Sequence, residues 1–230
     1  MLPVLMIITS HAQLGNTGEP TGLWAEELTT PYYALVDAGF DVVLTSPLGG
    51  TPPFAAESVK VVVEENEGSV KRFLLDATAM AKFSTTHTTA SVNAADYSAV
   101  FLPGGHGTMW DTANDDATAK LVADAFNAGK PVAAVCHGPA GLVKALRPDG
   151  KSILFGKKVN GFTNEEETAA GLMDVVPFHL ETRMRELGGV FENGAMWKPY
   201  AVRDGNLITG QNPQSSELVA SHVVAALQGK

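Results

Sequence analysis

Cys136, the only cysteine in the chain, is the residue most suited to covalent chemistry. A run of small and apolar residues, 131–135, ends at this cysteine and is followed at once by His137-Gly138-Pro139. The pattern predicts a strand, a sharp turn and a helix, an arrangement that presents a nucleophile at the end of a strand, often in strained backbone. A helix N-terminus directed at the sulfur lowers the pKa of a thiol and favours the reactive thiolate. The alternative interpretation is a structural cysteine that packs as a small hydrophobe.

His137 is the first candidate partner for this thiol. An imidazole beside a cysteine acts as its base or, when protonated, as a cationic neighbour of the thiolate. Neighbours in sequence often point apart, but a sharp turn can bring them to one side. The alternative is a histidine that only caps the turn.

A second motif, Gly104-Gly105-His106-Gly107, follows an apolar segment (97–103) that we predict to be a strand. Glycine lets backbone N–H groups approach a ligand closely. If this loop lies beside the Cys136 turn, the amides of Gly105 and His137 would hold an oxyanion, because such a hole uses the residue after the nucleophile. A phosphate cradle is weakly supported, since the run matches neither common nucleotide-binding pattern.

Two groups of glutamates could support cysteine chemistry. Glu26 and Glu27 lie on a predicted first helix, and Glu165, Glu166 and Glu167 lie on a predicted short acidic helix. A carboxylate facing a histidine orients the ring and raises its basicity. A protonated carboxyl beside a thiol can hold the thiolate or pass protons. Most of these side chains are expected on solvated helix faces, and composition does not assign the roles.

The remaining histidines carry no clear chemistry. His179 belongs to a His-x-Glu pair of the kind that completes some cysteine triads, but it falls in an amphipathic run (176–187) that predicts a helix, so we favour a surface role. His11, His87 and His222 show no ligand spacing. We therefore expect no metal.

Composition excludes several classes of protein. The chain has 230 residues, 45% of them hydrophobic, and a formal net charge of −9. Nucleic acids and anionic membrane surfaces need a basic face, so neither is an expected partner. One cysteine excludes an internal disulfide and a Cys-rich zinc site. The apolar run 2–9 is too short to span a membrane and lacks a basic flank and a cleavage signal, so we predict a buried strand and a cytoplasmic location.

Predicted strands alternate with predicted helices, which indicates an α/β fold. We expect a single domain over 1–230, with a mainly parallel sheet flanked by helices on both faces in a flavodoxin-like sandwich. Pro31 is expected to kink or interrupt the first helix, 23–38. The less regular segment 46–93, with a helix over 70–83, is interpreted as an insertion that covers a site or makes a subunit contact. Asp204-Gly205 predicts a hairpin between two late strands.

The two central motifs resemble the ThiJ/PfpI superfamily, which has the class I glutamine-amidotransferase-like fold. The resemblance rests on the separation of Leu102-Pro103-Gly104-Gly105-His106-Gly107 from Ala134-Val135-Cys136-His137-Gly138-Pro139, and it covers nearly the whole chain. The run Gly161-Phe162-Thr163-Asn164-Glu165-Glu166-Glu167-Thr168, the long first loop and the insertion are similar to one branch of it. That branch contains stress-inducible, chaperone-like proteins with glutathione-independent glyoxalase activity (glyoxalase III, D-lactate dehydratase).

The resemblance implies roles for particular residues. Cys136, His137 and Glu167 match the family's Cys-His-Glu triad, and Glu27 matches a helix glutamate that approaches the cysteine. An alignment shifted by one residue would move the triad role to Glu166. The glycine loop, with Gly104, Gly105 and His106, and the amide of His137 would bind the substrate oxyanion.

The implied reaction converts methylglyoxal, or a related 2-oxoaldehyde, to a 2-hydroxy acid (D-lactate) without glutathione, metal or cofactor. A homodimer is also implied. The alternatives are a cysteine amidase or deglycase that uses the same site, and a stress-response holdase chaperone or redox sensor. In the sensor, Cys136 would be oxidised instead of turning over.

Overall fold

The computed structural model describes residues 2–230, and a seven-stranded sheet forms its centre. The strands, in chain order, are β1 (Val4–Ile7), β2 (Val42–Ser46), β3 (His87–Thr88), β4 (Ala99–Leu102), β5 (Val132–Val135), β6 (Lys158–Val159), β7 (Val190–Phe191), β8 (Ala201–Asp204) and β9 (Leu207–Gly210). The helices are α1 (Ala25–Asp37), α2 (Gly68–Leu75), α3 (Ala77–Ser84), α4 (Asp116–Asn127), α5 (Asn164–Ala169), α6 (Leu180–Glu186) and α7 (Ser216–Leu227). β6 and β7 form a separate small sheet.

The main sheet is mostly parallel, in the order β3-β2-β1-β4-β5-β9-β8. β1, β4 and β5 are buried along their whole length, as continuous apolar runs in a covered parallel sheet should be. β8 pairs antiparallel with β9 across the predicted Asp204-Gly205 turn, which confirms the hairpin.

Helices cover both faces of this sheet. The chain moves one way across the sheet from β1 to β2 and the other way from β4 to β5, so right-handed crossovers place α1 and α4 on opposite faces. α7 packs against α1 on the first of these faces. The predicted α/β sandwich is confirmed. The strand order reverses between β1 and β4, and ligands of such sheets bind outside the carboxyl ends of the strands at this point.

Of the two effects expected at Pro31, the interruption is not seen: α1 continues through this residue, because its buried side, which includes Leu28 and Leu35, packs into the core and offsets one lost backbone hydrogen bond. Two other local predictions were wrong. The helix predicted over 70–83 divides at Asp76, whose carboxylate caps α3. α6 begins at Leu180, not at residue 176, because Pro177 disfavours helical backbone in the residue before it.

Within residues 2–230, no helix combines the length and the apolar character that crossing a membrane requires.

Candidate active site

Cys136 stands on a sharp turn directly after β5, with a left-handed φ of 59°. Its N–H donates to the carbonyl of Gly210 (2.9 Å) and its own carbonyl accepts from the N–H of Phe162 (2.8 Å), so the turn is held on both sides. A Cβ at Gly138 would lie 2.1 Å from the carbonyl oxygen of Leu102, so only glycine lets this turn approach β4. The helix that the sequence predicted after the turn is a five-residue 3-10 helix, Gly138–Leu142. This is the geometry of a nucleophile elbow.

A line of hydrogen bonds joins Cys136, His137 and Glu167. Sγ of Cys136 lies 3.4 Å from Nδ1 of His137, and Nε2 of His137 lies 2.7 Å from Oε2 of Glu167. Burial raises the pKa of Glu167, but the two neighbouring imidazoles outweigh it and hold that pKa well below its usual range. Glu167 is therefore a carboxylate and accepts the Nε2 proton of His137. The lone pair of Nδ1 then faces the thiol.

A second imidazole shares the same carboxylate. Nε2 of His106 lies 2.8 Å from Oε1 of Glu167, and the rings of His106 and His137 are 4.0 Å apart. His106 is the more exposed of the two side chains, at 19% against 1%. Ligand atoms of His106, His137 and Glu167 lie within 4.8 Å of one another, a spacing that suits a metal ion. Such an ion would have to replace the hydrogen bonds that now orient both rings.

Glu27 approaches the thiol from α1. Its side chain is fully buried, and Oε2 accepts a hydrogen bond from the N–H of Gly104 at 2.7 Å. Within residues 2–230, Oε1 has no hydrogen-bond partner of normal geometry. The side chain of Cys136 contacts this carboxyl group and acts to lower its pKa. Burial raises the pKa of Glu27 to about 8, which the contacts with Cys136 and Gly104 only partly offset. Glu27 therefore carries a proton at neutral pH.

The prediction of a low-pKa thiolate was wrong for the resting site. Burial raises the pKa of the Cys136 thiol well above its usual value, and the nearby carboxyl of Glu27 raises it further. The backbone N–H of His137 acts in the opposite direction but does not outweigh these effects. Burial and the neighbouring His106 lower the pKa of His137, so its ring is neutral and able to accept the thiol proton.

The glycine loop after β4 lies beside the elbow. Gly105 adopts a φ of 101°, and a Cβ there would lie 2.2 Å from the carbonyl oxygen of Gly22. Its N–H donates to no acceptor within residues 2–230, which leaves it available to an oxyanion. The N–H of Gly104, in contrast, is taken by Glu27, and the His106 ring is taken by Glu167. The N–H of Gly104 and Nε2 of His106 therefore each donate to a carboxyl group.

The other residues considered from the sequence lie elsewhere. Glu26 and Glu165 are exposed on their helices. His179 is outside the hydrogen-bonded group, immediately before α6, with Nε2 3.0 Å from the carbonyl of Met173.

Sequence reasoning missed two residues that support the site. Oγ1 of Thr108 donates to the carbonyls of Gly105 (2.9 Å) and His137 (3.0 Å) and ties the two loops together. The ring of Phe162 packs 4.4 Å from that of His137. Thr108 follows the glycine motif directly, but nothing local indicates its partners. Phe162 lies in the run before the acidic helix, and no local pattern there indicates a contact with His137.

The raised pKa of Glu27 makes a prediction about stability. Between its ordinary value of 4.5 and about 8, the folded protein keeps a proton that the unfolded chain has released. The contribution of Glu27 to the free energy of unfolding therefore falls as the pH rises through this window. We therefore expect the free energy of unfolding of Glu27→Gln, taken relative to that of the parent, to increase by on the order of a few kcal/mol as the pH rises from about 5 to about 8. Urea unfolding at several pH values measures this difference.

Glu165→Gln, an exposed change of the same type, is the control for this measurement. Its stability should follow the parent across the same pH range. A constant difference between Glu27→Gln and the parent would show that Glu27 titrates normally.

The fold and the site together define a class of protein. The chain is an α/β sandwich in which a cysteine elbow lies next to the topological switch point, with a histidine and a carboxylate aligned behind the cysteine. Residues 21–226 match the DJ-1/PfpI family, and the chain belongs to that family. The resemblance seen in the two central motifs is confirmed.

The relatives include several glyoxalases. The chain is 27% identical to glyoxalase 3 of Candida albicans, with 99% of each chain covered, and 29% identical to the glutathione-independent glyoxalase HSP31 of Saccharomyces cerevisiae, with 98% of each covered. The crystal structure of glyoxalase III from Candida albicans superposes with a TM-score of 0.88 at 28% identity, covering 98% of this chain and 97% of that one. The 24 kDa rapid encystment protein of Francisella tularensis superposes with a TM-score of 0.93 at 36% identity, with 99% of each chain covered.

Proposed function

We propose that this protein is a glutathione-independent glyoxalase that converts methylglyoxal, or a related 2-oxoaldehyde, to the 2-hydroxy acid. The observation that carries the proposal is the single contact network that joins the Cys136 thiol to Glu27 on one side and to His137 and Glu167 on the other. The full-length relatives named as glutathione-independent glyoxalases support it. The thiol is almost fully buried, which suits a substrate of a few atoms.

The first step joins the substrate to the protein. Sγ of Cys136 attacks the aldehyde carbon while Nδ1 of His137 takes the thiol proton, and the carbonyl oxygen becomes the oxyanion of a hemithioacetal. The N–H groups of Gly105 and His137 would stabilise this oxyanion. Glu167 stabilises the imidazolium through Nε2, as the orienting acid of a cysteine triad does.

The second step moves hydrogen between the two substrate carbons. The imidazolium of His137 first returns its proton to the oxyanion, which gives the neutral hemithioacetal. Neutral His137 then removes the proton from the former aldehyde carbon while the protonated carboxyl of Glu27 donates to the neighbouring ketone oxygen, and an enediol forms. The imidazolium protonates the neighbouring carbon, and the hydroxyl on the sulfur-bearing carbon returns a proton to Glu27. The product is a thioester of Cys136 with the 2-hydroxy acid. Water then hydrolyses the thioester, releases D-lactate when the substrate is methylglyoxal, and returns the proton to sulfur. No oxidant or reductant is needed, because one carbon is oxidised as its neighbour is reduced.

Replacement of His137 should slow this reaction strongly. We expect His137→Gln to lower kcat by about 10²–10⁴-fold, the usual contribution of a positioned general base. Steady-state rates of methylglyoxal loss would measure it. His179→Gln, which changes an exposed histidine, is the matched control and should remain within a factor of about two. A kcat for His137→Gln close to that of the control would remove His137 from the mechanism.

Two other functions are compatible with the same site. A cysteine amidase or deglycase would use the same acyl chemistry, and a redox sensor would oxidise Cys136. Purified protein with a chelator and without glutathione should consume methylglyoxal if the proposal is right. If methylglyoxal is not consumed, hydrolysis of small amides would favour the amidase or deglycase. A mass gain on Cys136 at low peroxide would instead favour the redox sensor. Holdase activity, in contrast to turnover, should survive Cys136→Ala.

The proposal includes a homodimer in the cytoplasm. The resemblance to the ThiJ/PfpI superfamily implies the dimer. Sedimentation of the purified protein at micromolar concentration would decide between the dimer and a monomer.

A further inference from the structure

Glu166, the neighbour of the triad acid, has a separate set of contacts. It is fully buried, and its two oxygens accept five hydrogen bonds. Oε2 accepts from the N–H and Oγ1 of Thr163, both at 3.1 Å. Oε1 accepts from Trp197 N–H (3.0 Å), Gln211 Nε2 (3.1 Å) and Asn212 Nδ2 (2.8 Å). One carboxyl group thus ties the start of α5 to the segment after β9 and to the loop 192–200, here named the Trp197 loop.

Trp197 has an unusual backbone for a large side chain. Its φ of 56° lies in the left-handed region, where bulky residues are rare outside strained or functional sites. The hydrogen bond from its N–H to Glu166 fixes the peptide in this conformation. The ring of Trp197 packs against Phe162 beside the site, and 38% of the residue is exposed to solvent.

A continuous series of ring contacts leads from Trp197 to the candidate base. The rings of Trp197 and Phe162 are 5.5 Å apart, and those of Phe162 and His137 are 4.4 Å apart with a tilt of 35°. Phe162 is only 4% exposed, so it has little room to move unless Trp197 moves. The hydrogen bond to Glu167 fixes His137 at one atom, and the packing of Phe162 limits rotation about that atom.

We infer that Glu166 and Trp197 are positioning residues that hold the imidazole of His137 in line with Cys136 by way of Phe162. This inference rests on the proposed function where it concerns rates. It assigns different roles to adjacent glutamates: Glu167 orients His137 by a hydrogen bond, and Glu166 does so by fixing the aromatic wall. Neither Glu166 nor Trp197 needs to touch the substrate in this role.

The test combines kinetics with a probe of His137 itself. A ring displaced by a fraction of an ångström should transfer protons less efficiently, so we expect Trp197→Ala to lower kcat by about 10-fold with little change in KM. Trp197→Phe keeps a ring on Phe162 and should recover most of the rate. Glu166→Gln should resemble Trp197→Ala. The controls are Phe155→Ala, which removes a half-exposed ring elsewhere, and Glu165→Gln, an exposed neighbour on α5.

The imidazole nitrogens of His137, observed by ¹⁵N NMR, give a readout that does not depend on turnover. Their resonances should shift in Trp197→Ala and return toward the parent in Trp197→Phe, whether or not the parent consumes methylglyoxal. Unshifted His137 resonances in Trp197→Ala would overturn the inference. So would an active parent in which Trp197→Ala raises KM and leaves kcat unchanged, since that result indicates direct substrate contact.

Discussion

Cys136→Ala is expected to abolish methylglyoxal turnover. The mechanism begins with a covalent bond to sulfur, and the chain contains no other thiol that could replace Cys136. The loss should exceed the effect of removing any general base, which is usually about 10²–10⁴-fold. The measurement is the rate of methylglyoxal loss at saturating substrate, with the protein at a concentration that makes slow residual turnover visible.

Cys136→Ser is the matched control for this variant. It keeps the size and the polar character of the side chain but has a far weaker nucleophile, so it should be equally inactive. Both variants should unfold close to the parent temperature, because the backbone hydrogen bonds of the turn to Gly210 and Phe162 do not involve the side chain. Residual turnover in both folded variants above a few percent of the parent would exclude covalent catalysis by Cys136.

Glu27→Gln is expected to lower kcat by at least about 10²-fold, the scale of a missing acid–base group. The amide can still accept the hydrogen bond from Gly104 N–H and fills the same volume, but it cannot exchange a proton with the substrate. The effect therefore separates proton transfer from packing. Glu26→Gln, on the exposed side of α1, is the control and should keep the parent rate.

The dependence of the rate on pH shows which protonation state of Glu27 is the active one. Burial raises the pKa of Glu27 to about 8, so the protonated carboxyl that the proposal uses as an acid is present below this pH and is lost above it. The parent rate should fall as the pH rises through about 8, and this limb should be absent from the residual rate of Glu27→Gln. A full rate in Glu27→Gln, or a limb that persists in the variant, would assign the proton transfer to another group.

Much of this site could be predicted from the sequence, because parallel strands bring their carboxyl ends to one edge of a sheet. The glycine motif follows β4 and the cysteine motif follows β5, and these strands are neighbours. Composition could not decide between Glu26 and Glu27, since adjacent helical residues face different directions and only the packing of α1 shows which one is buried. The choice of Glu27 came from the resemblance.

The properties of the thiol could not be predicted in the same way. The pKa of Cys136 depends on its burial and on Glu27, which lies far away in the sequence. The local pattern suggested only the helix after the turn, and that helix is short. The role of Glu166 was equally hidden, because its donors Trp197, Gln211 and Asn212 lie in loops that no local pattern connects to α5.

The most direct test of the proposed function is the stoichiometry and stereochemistry of the product. Purified parent protein, in buffer with a chelator and without glutathione, would be incubated with methylglyoxal, and D-lactate and L-lactate would be measured separately. Equal molar amounts of methylglyoxal lost and D-lactate formed, with neither change in Cys136→Ala, are predicted. Loss of methylglyoxal without lactate, or lactate formation at the same rate in Cys136→Ala, would contradict the assignment of this site as a glyoxalase centre.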